Sequence, residues 1–513
     1  MLHVSPAADW TKVLRDMAAQ APEAFSADNR VLNLLEGEWS NPGSGRHYES
    51  PVDGSRLGYI PMLDLPTALG AVKFAKSEAS AWAAVDLDER KRRVTLCLEG
   101  LREQRELIAL LLVWEIGKPY AQALTDIDRC ISGVEWYIEK IETMLGRRTP
   151  VGLISNIASW NYPMSVLMHA VLVQVLAGNV SISKTPSDGG LYALTLAHVI
   201  ARRAGLPVSL VSGSGGQLSD ALVRNEFVDC LAFVGGKTNG SAIASSLYDG
   251  NKRYLLEMEG LNAYGVWGFS DWAALGQQIR KGFDYGKQRC TAYPRYVVQR
   301  ELFPQFLEMY LPVLRSLRYG NPTLVQNDGD PLPVLDFGPL INNKKVEELR
   351  VQYTEAQGKG AVSVYQGEIA ADRMLPNQDL SAYLPPAALL NIPRSSRLYH
   401  NEPFGPIDSI VVVDHVEELI SEMNVSNGSL VSSIACDDPK TAQSIAHQLR
   451  GFKIGVNTVR SRGDREEVFG GIGQSWKGCF VGGRYLVLAV TQGDPGEKLY
   501  GNFPEYTQLP EAA

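Results

Sequence analysis

The middle of the chain alternates short apolar segments with longer segments of helical periodicity, and this alternation constrains the fold more than any other feature. Strand-like segments cover residues 150–155, 180–184, 207–211 and 230–234, with helical patterns or glycine-rich turns after them. Consecutive strands joined by helices form right-handed parallel crossovers. The pattern therefore predicts a doubly wound α/β domain. A weaker alternation between about residues 262 and 455 predicts a second α/β domain.

Length and charge limit the class of protein. A chain of 513 residues is long for one hydrophobic core, so two or three domains are expected. The net charge of −8 offers no basic surface to nucleic acid, and no apolar segment reaches the roughly 20 residues that cross a bilayer. We therefore expect neither a nucleic-acid partner nor a membrane partner.

The cysteines and histidines give no sign of a metal site. The six cysteines are scattered without CxxC pairs, which argues against a disulfide framework and against a thiolate zinc site. The seven histidines show no HExxH or other ligand spacing, so no metal is expected. These features predict a protein of the reducing cytoplasm.

Cys290 is the cysteine whose neighbours indicate chemistry. Lys287 and Arg289 precede it, and cations beside a thiol favour the nucleophilic thiolate. A thiol, a carboxylate such as Glu257 and a side-chain amide such as Asn161 can together attack a carbonyl, bind its oxyanion and activate water. From its immediate neighbours alone, a buried structural cysteine is the favoured alternative.

Glycine-rich turns follow two of the predicted strands, as is usual where a backbone approaches a phosphate. Neither Gly213-Ser214-Gly215 nor the segment 235–240 fits the G-x-G-x-x-G dinucleotide fingerprint. Taken singly, both segments are weak signals, and ordinary turn glycines are the alternative interpretation.

Several segments between about Pro150 and Thr491 follow one another in the order of known motifs. They are 159–163 (Ser-Trp-Asn-Tyr-Pro), 204–207 (Ala-Gly-Leu-Pro), 233–236 (Phe-Val-Gly-Gly), 256–262 (Leu-Glu-Met-Glu-Gly-Leu-Asn), 288–292 (Gln-Arg-Cys-Thr-Ala), 401–406 (Asn-Glu-Pro-Phe-Gly-Pro), 455–457 (Gly-Val-Asn) and 469–471 (Phe-Gly-Gly). In this order they resemble the aldehyde dehydrogenase superfamily.

The resemblance implies an NAD- or NADP-dependent enzyme that oxidises an aldehyde to a carboxylic acid. Cys290 would attack the aldehyde to form a thiohemiacetal, Asn161 would bind the oxyanion, and Glu257 would activate water to hydrolyse the thioester. The cofactor-binding residues implied by the motifs are Trp160, Lys184, Ser187, Gly213, Gly235, Gly236, Glu402 and Phe404. Those implied for the substrate pocket are Tyr162, Arg289 and Phe469.

The family fold implied by these motifs combines a Rossmann-type cofactor domain, an α/β catalytic domain and a small β oligomerisation element. We assign residues 1–130 and 151–260 to the cofactor domain and residues 261–455 to the catalytic domain. Residues 131–150 and 480–513 would form the oligomerisation element, so a homodimer or a homotetramer is expected.

Departures from the family pattern predict how the site is specialised. Ser187 stands where many NAD-preferring members place a glutamate on the ribose 2′-hydroxyl; without that carboxylate a 2′-phosphate is not repelled, which favours NADP. Ala170 stands where many members carry a lysine implicated in proton relay, so that lysine is missing. Five cations border the expected site and would suit an anionic semialdehyde, with ordinary solvated or subunit-facing charges as the alternative: Lys287, Arg289, Arg460, Arg462 and Arg465.

Two other functions fit the same motifs. A CoA-acylating dehydrogenase would pass the acyl group to CoA instead of water, and Glu257 argues against it because activated water would be wasteful there. A catalytically weak homologue that binds a cofactor fits the altered segment 283–289 before Cys290 and the alanine at position 170.

Overall fold

Two largely parallel β-sheets with helices packed on them organise the computed structural model, which describes residues 1–40, 44–247, 252–426, 428–463 and 465–503. The α-helices of these ranges, α1 to α16, are Trp10–Gln20, Leu65–Ala83, Leu87–Glu103, Arg105–Ile116, Tyr120–Leu145, His169–Leu176, Leu191–Arg203, Ser219–Leu222, Lys237–Ser246, Trp272–Gly282, Phe303–Arg315, Asn343–Gly358, Arg397–His400, Val416–Met423, Pro439–Ala446 and Arg484–Ala489. A π-helical segment, Pro163–Met168, leads into α6, and the 3₁₀ turns are Pro6–Ala8, Pro22–Ala24, Asp284–Lys287, Arg300–Leu302 and Ala371–Arg373.

The strands of the described ranges are numbered β1 to β24 along the chain. They are His3–Val4, Asn33–Leu35, Glu38–Ser40, Ser44–Glu49, Arg56–Met62, Thr149–Pro150, Leu153–Ile157, Val180–Lys184, Val208–Val211, Cys230–Gly235, Arg253–Met258, Ala263–Val266, Arg295–Gln299, Leu324–Val325, Val362–Gln366, Ala387–Leu390, Ile407–Val413, Gly428–Ser429, Val431–Ala435, Lys453–Val456, Ile472–Gly473, Trp476–Cys479, Thr491–Gln492 and Gly501–Asn502.

The first sheet has nine strands in the order β24-β22-β11-β10-β7-β8-β9-β2-β3. Its central strands β11, β10, β7, β8 and β9 are parallel. The chain runs outward from β7 through β8 and β9 and then returns to β10 on the other side of β7. The switch point between β7 and β10 is where a doubly wound sheet opens a crevice at the carboxyl ends of its strands. The predicted doubly wound fold is confirmed.

Strand β8 illustrates why these apolar segments become central strands. Every residue of Val180–Lys184 is buried, because α2 and α6 both pack against the strand. Strands covered on both faces have no solvent-facing side, and before Lys184 the strand accordingly has only Val, Ser and Ile. The last residue of β8 is the buried Lys184, which lies at the carboxyl end of the strand, next to the crevice.

The second sheet has seven strands in the order β15-β16-β17-β13-β12-β19-β20. All its pairs are parallel except the edge pair of β15 with β16. Residues 259–262 alone connect β11 of the first sheet to β12 of the second. The two sheets are therefore joined by a short connection that leaves β11 after Met258 and enters β12 at Ala263.

The region expected to form a β oligomerisation element contains more helix than β structure. Residues 131–145 belong to α5, whose buried positions Ile127, Val134 and Ile141 recur at helical spacing. The β structure is limited to the pairing of β6 with β23, while β24 pairs with β22 in the first sheet. Residues 504–513, also assigned to this element, lie outside the described ranges. None of the helices in those ranges has the length and apolar character that a membrane crossing requires.

Candidate active site

A cavity of about 580 Å³ lies at the carboxyl ends of β7, β8 and β10. Its lining includes the buried Asn161 and Glu257 together with Cys290, and we call this part the inner end. It also includes the exposed Ser187 and Gly215, and we call this part the outer end. The sheet thus brings together the three residues predicted to be catalytic.

The thiol of Cys290 meets a carboxylate at the inner end. Glu257, next to the last residue of β11, is 2% exposed. Cys290 is partly exposed where the cavity reaches it, but burial of its thiol and the nearby charge of Glu257 hold its pKa well above the usual range. The prediction that neighbouring cations favour the thiolate is therefore wrong for this structure. A base must remove the thiol proton before Cys290 can attack.

Lys287 is directed away from the cavity into the second sheet. Its ammonium forms an ion pair with Asp408 of β17, and both side chains are almost fully buried. Tyr310 also donates a hydrogen bond to this carboxylate at 2.7 Å. The positive charge of Lys287 is neutralised there, so Lys287 is not part of a positive substrate tunnel as the sequence suggested.

The backbone before Cys290 adopts an uncommon conformation. Tyr285, Gly286 and Lys287 have φ angles of 59°, 61° and 58°, in the left-handed region that costs a residue with a side chain about 1–2 kcal/mol. The Tyr285 hydroxyl donates to the carbonyl of Ile116 at 3.0 Å, and Lys287 is held by its ion pair. These buried side-chain contacts hold the turn that presents Cys290.

Asn161 is fixed in orientation by its neighbours. Its Oδ1 accepts a hydrogen bond from Ser159 at 2.6 Å, and its Nδ2 donates to the carbonyl of Gln288 at 3.0 Å. An amide nitrogen carries two hydrogens, so the second N–H remains for a ligand at the inner end. The Asn161 amide, held by Ser159, therefore has an N–H available for the oxyanion-binding role predicted for it.

A buried ion pair supports Asn161 from behind, and sequence reasoning missed it. Lys118 donates to the carbonyl of Asn161 at 2.7 Å and to Asp126 at 3.1 Å. Its ammonium also lies 4.0 Å from the ring centroid of Tyr162. No local motif marks this pair, since Lys118 precedes Asn161 by 43 residues.

Asn262 connects the nucleophile to the second sheet. Its Nδ2 donates to the carbonyls of Cys290 and Ala292, both at 2.8 Å, while its Oδ1 accepts from the backbone of Leu430 and Val431. The residue is fully buried. It ends a motif that the sequence singled out, although no role was assigned to it.

Arg462 provides the cation beside Glu257. Its Nη1 donates to Glu257 Oε2 at 2.8 Å, and its guanidinium lies over the ring of the buried Phe469 at 5.4 Å. Arg462, Glu257 and Ala170 line the same small second cavity. Phe469, predicted to line the substrate pocket, therefore contacts the site through Arg462.

The remaining predicted cations differ in their partners. Arg460 pairs with Glu467, and Arg465 donates to Ser132 at 2.7 Å. Arg289 donates only to main-chain carbonyls, at 2.8 Å to Gly282, and its Nε is buried without a hydrogen bond among the described residues. Within the described ranges Arg289 has no carboxylate partner. It is not among the residues that line the cavity, but its charge opposes the rise that burial causes in the pKa of Tyr162, which is part of the lining.

Six of the eight predicted cofactor residues line the cavity, whereas Gly213 and Glu402 do not. Gly235, Gly236, Lys184, Ser187, Trp160 and Phe404 all line it. Gly213 does not; a Cβ there would meet Leu218 at 2.8 Å, so this glycine serves the turn. Gly215 and Gly216, two and three positions later, reach the cavity instead. The rings of Trp160 and Phe404 pack edge to face at 5.9 Å.

Glu402 is a buried carboxylate with spare hydrogen-bonding capacity. Neither carboxylate oxygen forms a hydrogen bond of ordinary geometry with the described residues, although the Gly260 backbone lies near enough to oppose the pKa shift. Burial first, and the charge of Glu259 second, hold its pKa well above the usual range. Hydroxyl donors would satisfy both oxygens, so the residue fits the sugar of a dinucleotide.

Comparisons with known proteins agree with this geometry. A sequence model of the aldehyde dehydrogenase family matches residues 39–493. The NADP-dependent glyceraldehyde-3-phosphate dehydrogenase of Streptococcus equinus is 26% identical over 90% of this chain and 96% of its own. The mitochondrial succinate-semialdehyde dehydrogenase of Mus musculus is 26% identical over 90% of this chain and 89% of its own. A crystal structure of the NADP-dependent glyceraldehyde-3-phosphate dehydrogenase from Bacillus halodurans C-125 complexed with NADP superposes with a TM-score of 0.81 at 25% identity, covering 90% of this chain and 97% of that one.

Proposed function

This chain belongs to the aldehyde dehydrogenase family, and from that premise we propose that it oxidises an anionic aldehyde to a carboxylic acid through Cys290, with NADP as the favoured cofactor. Oxidation of an aldehyde with NAD or NADP is the activity of the family. The proposal for Cys290 rests on one observation above all: its thiol meets Glu257 and Asn161 at the inner end of a cavity that continues to Lys184. When bound, the cofactor accepts a hydride from the substrate.

Attack on the aldehyde requires that the Cys290 thiol lose its proton. Glu257 is the carboxylate whose charge acts most strongly on this thiol, so we assign the proton to it. The sulfur then bonds to the carbonyl carbon, and the electron pair of the carbonyl moves to oxygen. The free N–H of Asn161 stabilises this oxyanion, with Ser159 and Gln288 fixing the amide in place.

Release of the product requires water. Once Glu257 has passed the thiol proton to solvent, it takes a proton from a water molecule whose oxygen attacks the thioester carbon. The carbon–sulfur bond then breaks, and the departing sulfur takes this proton from Glu257 to restore the thiol. Arg462 binds Oε2 of Glu257 and leaves Oε1, which has no hydrogen bond among the described residues, free to act. This division of the two oxygens supports hydrolysis as the second half of the reaction.

An anionic substrate is supported by the charges around the inner end. Arg289 precedes the nucleophile and has no carboxylate partner in the described ranges. Arg462 has one partner, Glu257. Both relatives named above act, by name, on aldehydes that carry a phosphate or a carboxylate. Of the five cations predicted to border the site, Arg289 is therefore the one we propose for substrate binding, because the charge of Arg462 is engaged by Glu257.

The nucleophile can be tested with cysteine variants. Cys290→Ala should abolish aldehyde-dependent NADPH formation, and it should also abolish labelling by iodoacetamide at position 290. Cys436→Ala, at the far end of β19, is the matched control and should keep wild-type activity. An active Cys290→Ala protein would refute the assignment.

The substrate class can be tested with Arg289→Gln. The variant should raise KM for succinate semialdehyde on the order of tenfold and leave KM for butanal unchanged, because a charge pair in a partly buried site contributes about 1.4 kcal/mol or more. Arg300→Gln, whose side chain is paired with Asp414 at the surface, is the control. Equal effects on the two aldehydes would contradict an anion-binding role.

Assembly and location complete the proposal. The short β6–β23 pair supports our proposal of a homodimer or homotetramer built through this region, which light scattering after size-exclusion chromatography would test. All six cysteines are free, which is consistent with a protein of the reducing cytoplasm.

A further inference from the structure

Two cations meet at the outer end of the cavity. Lys184 closes β8 and is buried, while Arg46 projects from the exposed strand β4 and donates a hydrogen bond to the carbonyl of Ser187. Repulsion by Arg46, after burial, is the second cause that lowers the pKa of Lys184 to about 8. The charge of Arg46, held at the carbonyl of Ser187, therefore acts on Lys184.

Neither cation has an anionic partner of its own. Lys184 donates to the carbonyl of Thr185 at 2.8 Å, Arg46 donates to Ser187, and no ion pair of either side chain exists within the described ranges. Asp188 is the one carboxylate that acts on Lys184. Two cations against one carboxylate leave a local excess of positive charge, which an anionic ligand would relieve.

The position of the pair determines which anion of a dinucleotide it can reach. The reacting ring must lie near Cys290 at the inner end, so the adenosine lies toward the outer end. The pyrophosphate, between them, falls beside Gly235 and Gly236 at the carboxyl end of β10. At the adenosine end, the additional anion that NADP has and NAD lacks is the 2′-phosphate.

We propose that Arg46 is a cofactor-specificity residue that binds the 2′-phosphate of NADP together with Lys184. This inference rests on the proposed function and adds a residue from outside the doubly wound sheet. Ser187 contributes by having no carboxylate, and its backbone carbonyl holds the Arg46 guanidinium in place. Arginine suits the role because its planar fork can bind phosphate oxygens in pairs.

The hairpin of β4 and β5 fixes Arg46 with respect to the cavity. Arg46 and Tyr48 are two positions apart and so share one face of the strand. Tyr48 is buried and donates to Glu115 at 3.0 Å, and the same carboxylate accepts from the backbone of Tyr192 at 2.8 Å, in the first turn of α7. The hairpin is thereby attached to the cofactor sheet at the level of the outer end.

Binding of adenosine fragments tests the proposal without catalysis. Adenosine 2′,5′-bisphosphate and 5′-AMP are titrated by calorimetry against the full chain with no aldehyde present. Arg46→Gln should weaken binding of the bisphosphate about tenfold and leave 5′-AMP unchanged. Arg56→Gln, an exposed arginine on the paired strand β5, is the charge-matched control and should bind both fragments as the wild type does.

Three outcomes would overturn the proposal: a wild type that binds both fragments equally, an Arg46→Gln protein with unchanged affinities, or equal loss for both fragments. NAD-dependent oxidation of an aldehyde is measured on the same proteins and should survive Arg46→Gln. A wild type that selects the bisphosphate but oxidises no aldehyde would overturn the proposed function and leave the role of Arg46 standing.

Discussion

Raising the pH from 7 to 9 should weaken the binding of NADP about tenfold, because Lys184 loses its charge in this range. Burial and Arg46 lower its pKa to about 8, so the free protein has roughly 90% of this lysine charged at pH 7 and roughly 10% at pH 9. Arg46 stays charged throughout, and the 2′-phosphate is a dianion well above its second pKa of about 6. Lys184 is therefore the group whose charge changes.

Titration of protein fluorescence with NADP at pH 7, 8 and 9 measures the effect. Lys184→Met should bind NADP weakly at pH 7 and show no tenfold decline by pH 9. Lys252→Met is a strict control, since burial also lowers the pKa of Lys252 to about 8 while its ammonium binds the carbonyls of Val223 and Asn225. The reasoning is refuted if wild-type affinity at pH 7 and pH 9 agrees within about twofold, or if Lys184→Met keeps the decline.

Three further substitutions test contacts described above. Glu115→Gln should remove a pH dependence of stability, because burial raises the pKa of Glu115 from 4.5 to about 7. The contribution of Glu115 to the free energy of unfolding is complete below pH 4.5 and is lost as pH rises through about 7, about 3 kcal/mol in all. Urea unfolding of both proteins at pH 5 and 8 measures it, and a difference between wild type and variant that is the same at both pH values would contradict the argument. Lys287→Met should lower the free energy of unfolding by about 3–5 kcal/mol, because Asp408 stays buried without a counter-ion; adding Asp408→Leu should recover part of the loss, and an unaltered single variant contradicts the argument. Arg462→Gln should lower kcat on the order of 100-fold for succinate semialdehyde and butanal alike, because Glu257 loses its orientation; a change limited to KM for the anionic aldehyde argues against that role.

The sequence predicted the parts of the site that depend on strand ends. Asn161, Lys184 and Gly235 each follow or close a segment that reads as a strand, and parallel strands bring such positions to one edge of a sheet. Glu257 is identified from its motif instead. Cys290 could be added from its motif. The doubly wound order followed from the alternation of strands and helices, without knowledge of any side-chain contact.

The errors about the cations share a physical cause, since each depends on a partner far along the chain. Lys287 lies close in sequence to Arg289 and Cys290, yet its ion pair with Asp408 spans 121 residues and removes it from the cavity. Arg462 reaches Glu257 across 205 residues. No local pattern specifies which of two nearby cations will be buried, because the available counter-ion decides it. The assignment of residues 131–145 to a β element has a different cause, since it came from the family resemblance although these residues have helical periodicity.

Glu257 lies in the first sheet, Cys290 lies in the turn that precedes β13 of the second sheet, and Asn262 sits in the connection between the two sheets. A chimera that joins two relatives near residue 262 would inherit its base from one parent and its nucleophile from the other. Such a protein can fold and still be inactive, because the distance between sulfur and carboxylate is set by neither parent alone. Asn262, which ties the Cys290 loop to the second sheet, is thus the position at which the ancestry of the two halves must agree.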